Sequence, residues 1–270
     1  MLKLLTINLH SYVEENWQIK LDNFTDYITS ALPDVVAMQE VNQTLDSPFC
    51  GLLTNCFSVD YDLPLRKDNY GLKVSEILKR KNCNYHYVWL GIKESYGRFE
   101  EGLGFLLKEE PLRIKPVLLS RTTDKANWKK RMALGVKSGG VWFYNLHMGR
   151  WDDKEEPFIR QWSTFCHSIP KDEKTVLMGD FNAPSDALNE GYASVISTGW
   201  LDTYTLASQK DEGFTVRGKI DGWNDSNSSK RIDYVFVNFS CDVASSHTVF
   251  NGECQNVISD HFGIEVYMEG

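Results

Sequence analysis

The chain has no closely paired cysteines. Its six, Cys50, Cys56, Cys83, Cys166, Cys241 and Cys254, never fall in a CxxC arrangement, which argues against a thiolate metal site. Several lie within apolar runs and read as core thiols. No apolar stretch approaches the roughly 18 residues of a membrane-spanning helix. The opening MLKLLTINLH runs straight into a strand pattern without a secretory-signal layout. The expectation is a soluble, cytoplasmic protein with no membrane partner. Basic charge is also scarce: 29 Lys and Arg against 37 Asp and Glu give a net charge of −8. A sequence-independent grip on nucleic acid relies on basic surface and counterion release. No stable nucleic-acid partner is therefore expected, while a small anionic substrate remains open. Repeats, low-complexity tracts and interdomain linkers are missing too. What the chain does have is 270 residues, 42% of them hydrophobic, enough for one large domain over 1–270 with a sizeable core.

Hydrophobic patterning gives the element order. LKLLTIN (2–8) reads as a buried strand. Trp17, Leu21, Phe24, Ile28 and Leu32 then recur at helical spacing, and Pro33–Asp34 ends that helix. DVVAMQEV (34–41) is a second buried strand. Residues 42–70 form a long irregular excursion, uncommon unless functional. A short helix is expected over 71–82. Successive strands over 85–92, 102–108, 112–120, 131–138 and 141–149 have short connectors, which points to mainly antiparallel pairing, and Gly139–Gly140 marks a hairpin. Phe158, Trp162, Phe165 and Ile169 define the next helix, which Asp152 or Asp153 is placed to cap. A buried strand (175–178), a short helix (191–200), a strand over 231–238 and a last strand within 257–268 complete the order.

Polar residues gather where these strands end. LMGDFNAP (177–184) sets Asp180 and Asn182 two apart, on one face of an extended segment. A carboxylate that polarises water beside a neutral amide suits phosphoryl chemistry, which needs an aligned nucleophile and held oxygens. Turn chemistry explains the same octet, since Asp, Asn and Gly are ordinary turn residues. Asn8, Glu40, His147, Asp233, Asp260 and His261 follow or interrupt apolar strands in the same way. Each also has a bland explanation: a turn cap, a solvated strand end, a half-buried histidine, or, for Asp233, pairing with Arg231. Together they form a set rich in hard oxygen donors. Glu40 and Asp260 suit Mg²⁺ or Mn²⁺ rather than zinc, and a histidine beside a carboxylate can act as a base or a cationic donor.

INLH, QEV, NLHMG, GDFN, RIDYVF and SDH occur in the order seen in the endonuclease/exonuclease/phosphatase superfamily, and the chain resembles that superfamily from residue 7 to 261. The resemblance implies an α/β fold, a four-layered sandwich of two mixed β-sheets flanked by helices, with metal-assisted phosphoester hydrolysis at one end. It makes Glu40 the principal metal ligand, with Asn8 and Asp260 near the ion. Asp180 becomes the residue that orients or deprotonates water, and Asn182 and His147 hold phosphoryl oxygens. His261 acts on the phosphate side, oriented by Asp233. Which of Asp180 and His261 takes the proton stays open. Within the superfamily, NLHSY, EEGLGF (100–105), WDDKEEPF (151–158), KDEGFTVRGKIDGW (210–223) and SDHFG (259–263) are similar to bacterial maltose 6′-phosphate phosphatases. That similarity implies a Mg²⁺-dependent phosphomonoesterase acting on a phosphorylated disaccharide. The alternative is a phosphodiesterase of the same fold, a nuclease or a sphingomyelinase-like phospholipase. His10, Trp151, Lys219 and Trp223 are the candidate sugar contacts, because flat rings cover the apolar face of a sugar while charged groups bond its hydroxyls.

Overall fold

The computed structural model describes residues 1–59, 63–187, 191–218 and 228–269. Its strands are β1 (Leu2–Asn8), β2 (Val35–Thr44), β3 (Cys56–Ser58), β4 (His86–Ser95), β5 (Phe99–Leu107), β6 (Arg113–Leu118), β7 (Met132–Ser138), β8 (Val141–His147), β9 (Thr175–Asp180), β10 (Leu201–Asp202), β11 (Gln209–Lys210), β12 (Asp233–Val237), β13 (Val243–Val249) and β14 (Gly263–Met268). Its helices are α1 (Trp17–Ala31), α2 (Tyr70–Arg80), α3 (Phe158–Ser168), α4 (Tyr192–Ser197) and α5 (Thr203–Leu206). One sheet has the order β11-β13-β14-β1-β2-β5-β4-β3 and the other β10-β12-β9-β8-β7-β6.

A parallel pair lies inside each sheet: β1 and β2 joined through α1, and β8 and β9 joined through α3. The other contacts of these four strands are antiparallel, so both sheets are mixed. The amphipathic stripe of α1 buries Leu21, Phe24 and Ile28 against Leu5, Ile7 and Val36 on the outer face of the first sheet. The helix stops at Leu32, which is left-handed and donates its N–H to the Ile28 carbonyl at 2.8 Å, ahead of Pro33. Phe158, Trp162 and Phe165 of α3 cover Tyr144, Leu146 and Leu177 on the outer face of the second sheet. Between the sheets lies an apolar core that includes Leu4, Ala37, Phe105, Val136, Phe143, Met178 and Val235. Helix, sheet, sheet and helix make the four expected layers.

Alternation along the strands then places the site. The rows that face the inter-sheet core run Leu4–Thr6–Asn8, Val35–Ala37–Gln39, Phe143–Asn145–His147, Val176–Met178–Asp180 and, in reverse, Val237–Val235–Asp233. Each row is apolar at one end of the sandwich and polar at the other. Beneath the polar end, Gln39 Nε2 donates to Thr6 Oγ1 (3.1 Å) and to Asn145 Oδ1 (2.6 Å) across the sheets. Asn145 Nδ2 donates in turn to the carbonyls of Met38 and Gly104, both at 2.9 Å. Gln39 Oε1 is left without a partner, but the bonds that Gln39 Nε2 and Asn145 make across the gap tie the two sheets together at this level.

Several boundaries differ from the sequence reading. The strands expected to form one antiparallel run divide between sheets, since β5 pairs with β2 and β4 while β6 pairs with β7. Helix α3 starts after Pro157 without a side-chain cap; Asp153 Oδ1 instead accepts from the N–H groups of Glu155 and Glu156 in the preceding turn. Arg231 pairs with Asp202 at 2.6 Å rather than with Asp233.

Candidate active site

The parallel strands deliver their C-terminal residues to one place. Asn8 ends β1, His147 ends β8 and Asp180 ends β9, with His147 opposite Asp180 and Asp233 opposite Asp180 in the pairing register. Gly179 allows this approach: its φ is +136°, and a Cβ there would collide with the Leu146 carbonyl. Glu40 arrives by another route. Strict alternation would send it to the opposite face from Gln39, but the β2–β5 ladder shifts register between Met38 and Val41, and Glu40 is left-handed at φ +48°. The bulge turns its carboxylate toward Asn8. Ser11 staples that geometry, its Oγ donating to the Glu40 carbonyl (2.7 Å) and accepting from Asn42 N (3.1 Å). Glu40, Asn182 and His10 are all non-glycine residues with positive φ at this end of the fold, a concentration of strain that fits a functional site.

Asn8 Nδ2 donates to Glu40 Oε1 (2.9 Å) and to Asp180 Oδ2 (3.2 Å), joining the two carboxylates. Asp180 is buried and accepts from Asn182 N at 2.8 Å through Oδ1. Burial and the neighbouring Asp233 raise its pKa to about 7, although His261 and the hydrogen bonds pull the other way. His261 Nδ1 lies 3.0 Å from Asp233 Oδ2, and its Nε2 lies 3.9 Å from Asp180 Oδ2. Burial opposes charging that ring, yet Asp233 and Asp180 outweigh burial and hold its pKa well above the ordinary histidine value. His147 goes the opposite way. Burial and the cations Arg131 and Lys93 push its pKa well below normal, so it is neutral, with Nε2 3.7 Å from Asp180 Oδ2 and 3.9 Å from Glu40 Oε1. Two histidines beside one carboxylate thus hold opposite protonation states at neutral pH, the separation of roles that acid–base chemistry needs.

Asp260 stands at the rim. His10 Nδ1 lies 2.8 Å from Glu14 Oε1 and 3.7 Å from Asp260 Oδ1, and Asp260 N donates to the same Glu14 oxygen at 3.2 Å. Burial opposes the charged His10, but Glu14 and Asp260 dominate and raise its pKa to about 9. A divalent ion fits this end of the site. Burial, Glu101 and Asp260 all raise the pKa of Glu40, so its charge is under-compensated, and the surrounding donors are carboxylate and amide oxygens with no thiolate. A hard cation held by Glu40, with Asp260 and the Asn8 amide beside it, would relieve that repulsion.

The site opens into a cleft of about 860 Å³. Glu40, His147, Asp180, Asn182, Asp260 and His261 all line it, and so do residues the sequence reading passed over: Lys93, Tyr96, Glu101, Trp128 and Arg131. Lys93 and Glu101 had a faint signal, charged residues inside apolar strand runs; Trp128 and Arg131 had none. Trp151 packs beside the outer apolar layer, next to Val216 and Ile232, and among the described residues the tryptophan that lines the cleft is Trp128. Lys219 and Trp223 lie outside the described residues. No helix among the described residues is long and apolar enough to cross a membrane.

A family model described as Endonuclease/Exonuclease/phosphatase family matches residues 5–261. No curated protein sequence matches the chain. Among solved structures, an endonuclease/exonuclease/phosphatase family protein from Leptotrichia buccalis is 28% identical over 100% of both chains, with a TM-score of 0.87. A mannosyl-6-phosphatase of Bacteroides thetaiotaomicron is 17% identical over 100% of both chains, with a TM-score of 0.63. A 3′ phosphatase from Neisseria, bound to a product DNA hairpin, is 16% identical over 100% of both chains at a TM-score of 0.63.

Proposed function

The chain belongs to the endonuclease/exonuclease/phosphatase family, phosphoric ester hydrolases that generally depend on a divalent metal, and on that premise we propose that it is a Mg²⁺-dependent phosphomonoesterase acting on a phosphorylated sugar. The observation that carries the substrate class is the charge of the cleft. Glu40, Glu94, Glu101, Asp152, Asp153, Asp180 and Asp260 line it, against Lys93, Arg131, Arg150 and the cationic His261. Lys93 is tied to Glu101 at 3.1 Å and Arg150 Nε to Asp152 at 2.7 Å. Such walls repel a polyanionic backbone, but they accept hydrogen bonds from the hydroxyls of a polyol that carries one phosphate. Two of the stretches similar to maltose 6′-phosphate phosphatases, EEGLGF and WDDKEEPF, contribute Glu101, Asp152 and Asp153 to those walls. The mannosyl-6-phosphatase of the same fold supports the same class.

In this reading Asp180, with a pKa near neutrality, takes the proton of the attacking water. The cationic His261 faces the phosphoryl oxygens, held by Asp233. Neutral His147 and the Asn182 amide bond the remaining oxygens. Glu40, Asp260 and Asn8 would hold the Mg²⁺, which when bound would supply Lewis-acid stabilisation of the charge that develops on phosphate. The decisive experiment is a panel of sugar phosphates and plasmid DNA, with and without Mg²⁺. Phosphate release from sugar phosphates, abolished by EDTA and restored by Mg²⁺ or Mn²⁺, is expected; efficient nicking of DNA with no sugar-phosphate hydrolysis would overturn the assignment. Trp128, 63% exposed in the cleft, is placed to stack on a sugar ring. Its carbonyl is fixed by Lys93 Nζ (3.1 Å) and Arg131 Nη1 (2.7 Å). Trp128→Ala is therefore expected to lower kcat/KM for a disaccharide 6′-phosphate by roughly 10-fold, the scale of one lost stacking contact, and to affect a monosaccharide 6-phosphate less. Equal losses on both sugars would remove Trp128 from ring recognition.

A further inference from the structure

Arg131 is a buried guanidinium that no carboxylate among the described residues touches directly. It immediately precedes β7 and is 8% exposed. Its Nη1 donates to the carbonyls of Trp128 (2.7 Å) and Lys130 (3.1 Å), while Nε is buried without a partner. Among the described residues the guanidinium makes no ion pair, although it lines a cleft with seven carboxylates. Its buried neighbour Lys93 is matched, by Glu101 and by the Trp128 carbonyl. Burial disfavours the charged guanidinium, and Glu101, Glu40, Asp180 and Asp153 favour it only through space, so no carboxylate takes up its outer amine and an anion from outside can bind there.

We propose that Arg131 is a further catalytic residue, whose Nη2 amine, the end of the guanidinium not tied to the Trp128 and Lys130 carbonyls, binds a non-bridging oxygen of the substrate's phosphoryl group. The assignment rests on the phosphomonoesterase reading above. Three features support it. The guanidinium keeps its charge at any working pH and still has an Nη2 donor to offer, whereas the neighbouring ammonium of Lys93 is taken up by Glu101 and the Trp128 carbonyl. The two carbonyls on Nη1 fix the guanidinium before substrate arrives, so little side-chain freedom is lost on binding. The charge also reaches the right place: it acts on Glu40, Asp180 and His147. A phosphoryl group beside Asp180 is then met by two cations, Arg131 and His261, and this offsets the acidic walls.

A purely structural Arg131, present only to hold the Trp128 carbonyl, makes a different prediction. Arg131→Lys keeps the charge and a donor for that carbonyl but loses the Nη2 donor; Arg131→Met removes both. Binding of inorganic phosphate is measured by calorimetry in excess Mg²⁺, alongside kcat and KM on the sugar phosphate cleaved best and thermal melts of each variant. Phosphate affinity is expected to fall at least about tenfold and kcat/KM roughly 10²- to 10³-fold in both variants, the cost of removing one preorganised donor to the transition state. Should Arg131→Met fail to fold, Arg131→Lys decides alone. Unchanged phosphate affinity and kcat/KM in a folded Arg131→Lys overturn the proposal, as does a wild-type protein that binds no inorganic phosphate. Phosphate bound through Arg131, with no release from any sugar phosphate, upholds the assignment and sinks the substrate reading instead.

Discussion

Asp180→Asn is expected to lower kcat/KM by roughly 10²- to 10⁴-fold, the general-base range, and also to make the metal-free protein more heat-resistant above pH 7. The second effect follows from the first. Asp180 is buried beside Asp233, and its pKa is raised to about 7. In the unfolded chain an aspartate titrates near pH ~3.9. Between those values the native state holds a proton that the unfolded state has released, so stability falls as pH rises through the window and stays low above it. At about 1.36 kcal/mol per pH unit the burden reaches a few kcal/mol. An asparagine of the same shape carries no such burden. It can still accept from Asn182 N or from Asn8 Nδ2, but not from both without placing two donors face to face, a loss of about 1 kcal/mol. Thermal melts in EDTA should therefore put the variant above wild type at pH 8 and level with it or below at pH 4. Parallel pH profiles for the two proteins would show that Asp180 is not the group under load.

The part of the site carried by strand alternation was legible in the sequence. Asn8, His147 and Asp180 terminate apolar runs, and the structure brings them together because the runs are parallel or in register. Glu40 was also visible, but for an incomplete reason. Its orientation depends on a bulge and a left-handed backbone, which period-two reasoning does not contain. Arg131 and Trp128 were not legible. Their role depends on which groups reach the cleft and which find partners, and nothing in KANWKKR shows that the guanidinium ends up buried without a direct ion pair. Tryptophans in polar segments attracted attention to Trp151, whereas its ring packs beside Val216 and Ile232. Strand β13 was overlooked for a related reason. VASSHTV is half polar, because the strand lies near the sheet's edge between the two-residue β11 and β14, with Ala244 exposed to solvent. The helices followed their stripes closely; the expected 71–82 and 158–169 became Tyr70–Arg80 and Phe158–Ser168. The separation of β5 from β6 into different sheets was out of reach, since connector length does not reveal a crossing from one layer to the other.

Asp233→Asn should cost roughly 10²- to 10⁴-fold in kcat/KM, and the form of the loss with pH identifies its cause. His261 is buried, and burial alone would favour the neutral ring; Asp233, with help from Asp180, reverses that preference and keeps it cationic. Without Asp233 burial gains the upper hand and the histidine pKa falls. The active form carries the proton, so activity is lost as pH rises through that pKa, and the alkaline limb of the profile should move to lower pH. Part of the missing activity should then return as the variant is assayed at more acidic pH. A carboxylate that merely packs against the ring would lower the plateau and leave the limb in place. His261→Ala should be at least as damaging as Asp233→Asn, because it removes the cation itself. The double variant should be hardly worse than His261→Ala, since Asp233 acts only through the ring it holds at 3.0 Å. Multiplicative losses in the double variant, or an alkaline limb unmoved in Asp233→Asn, would dissolve the pair and return the phosphate-facing charge to Arg131 alone.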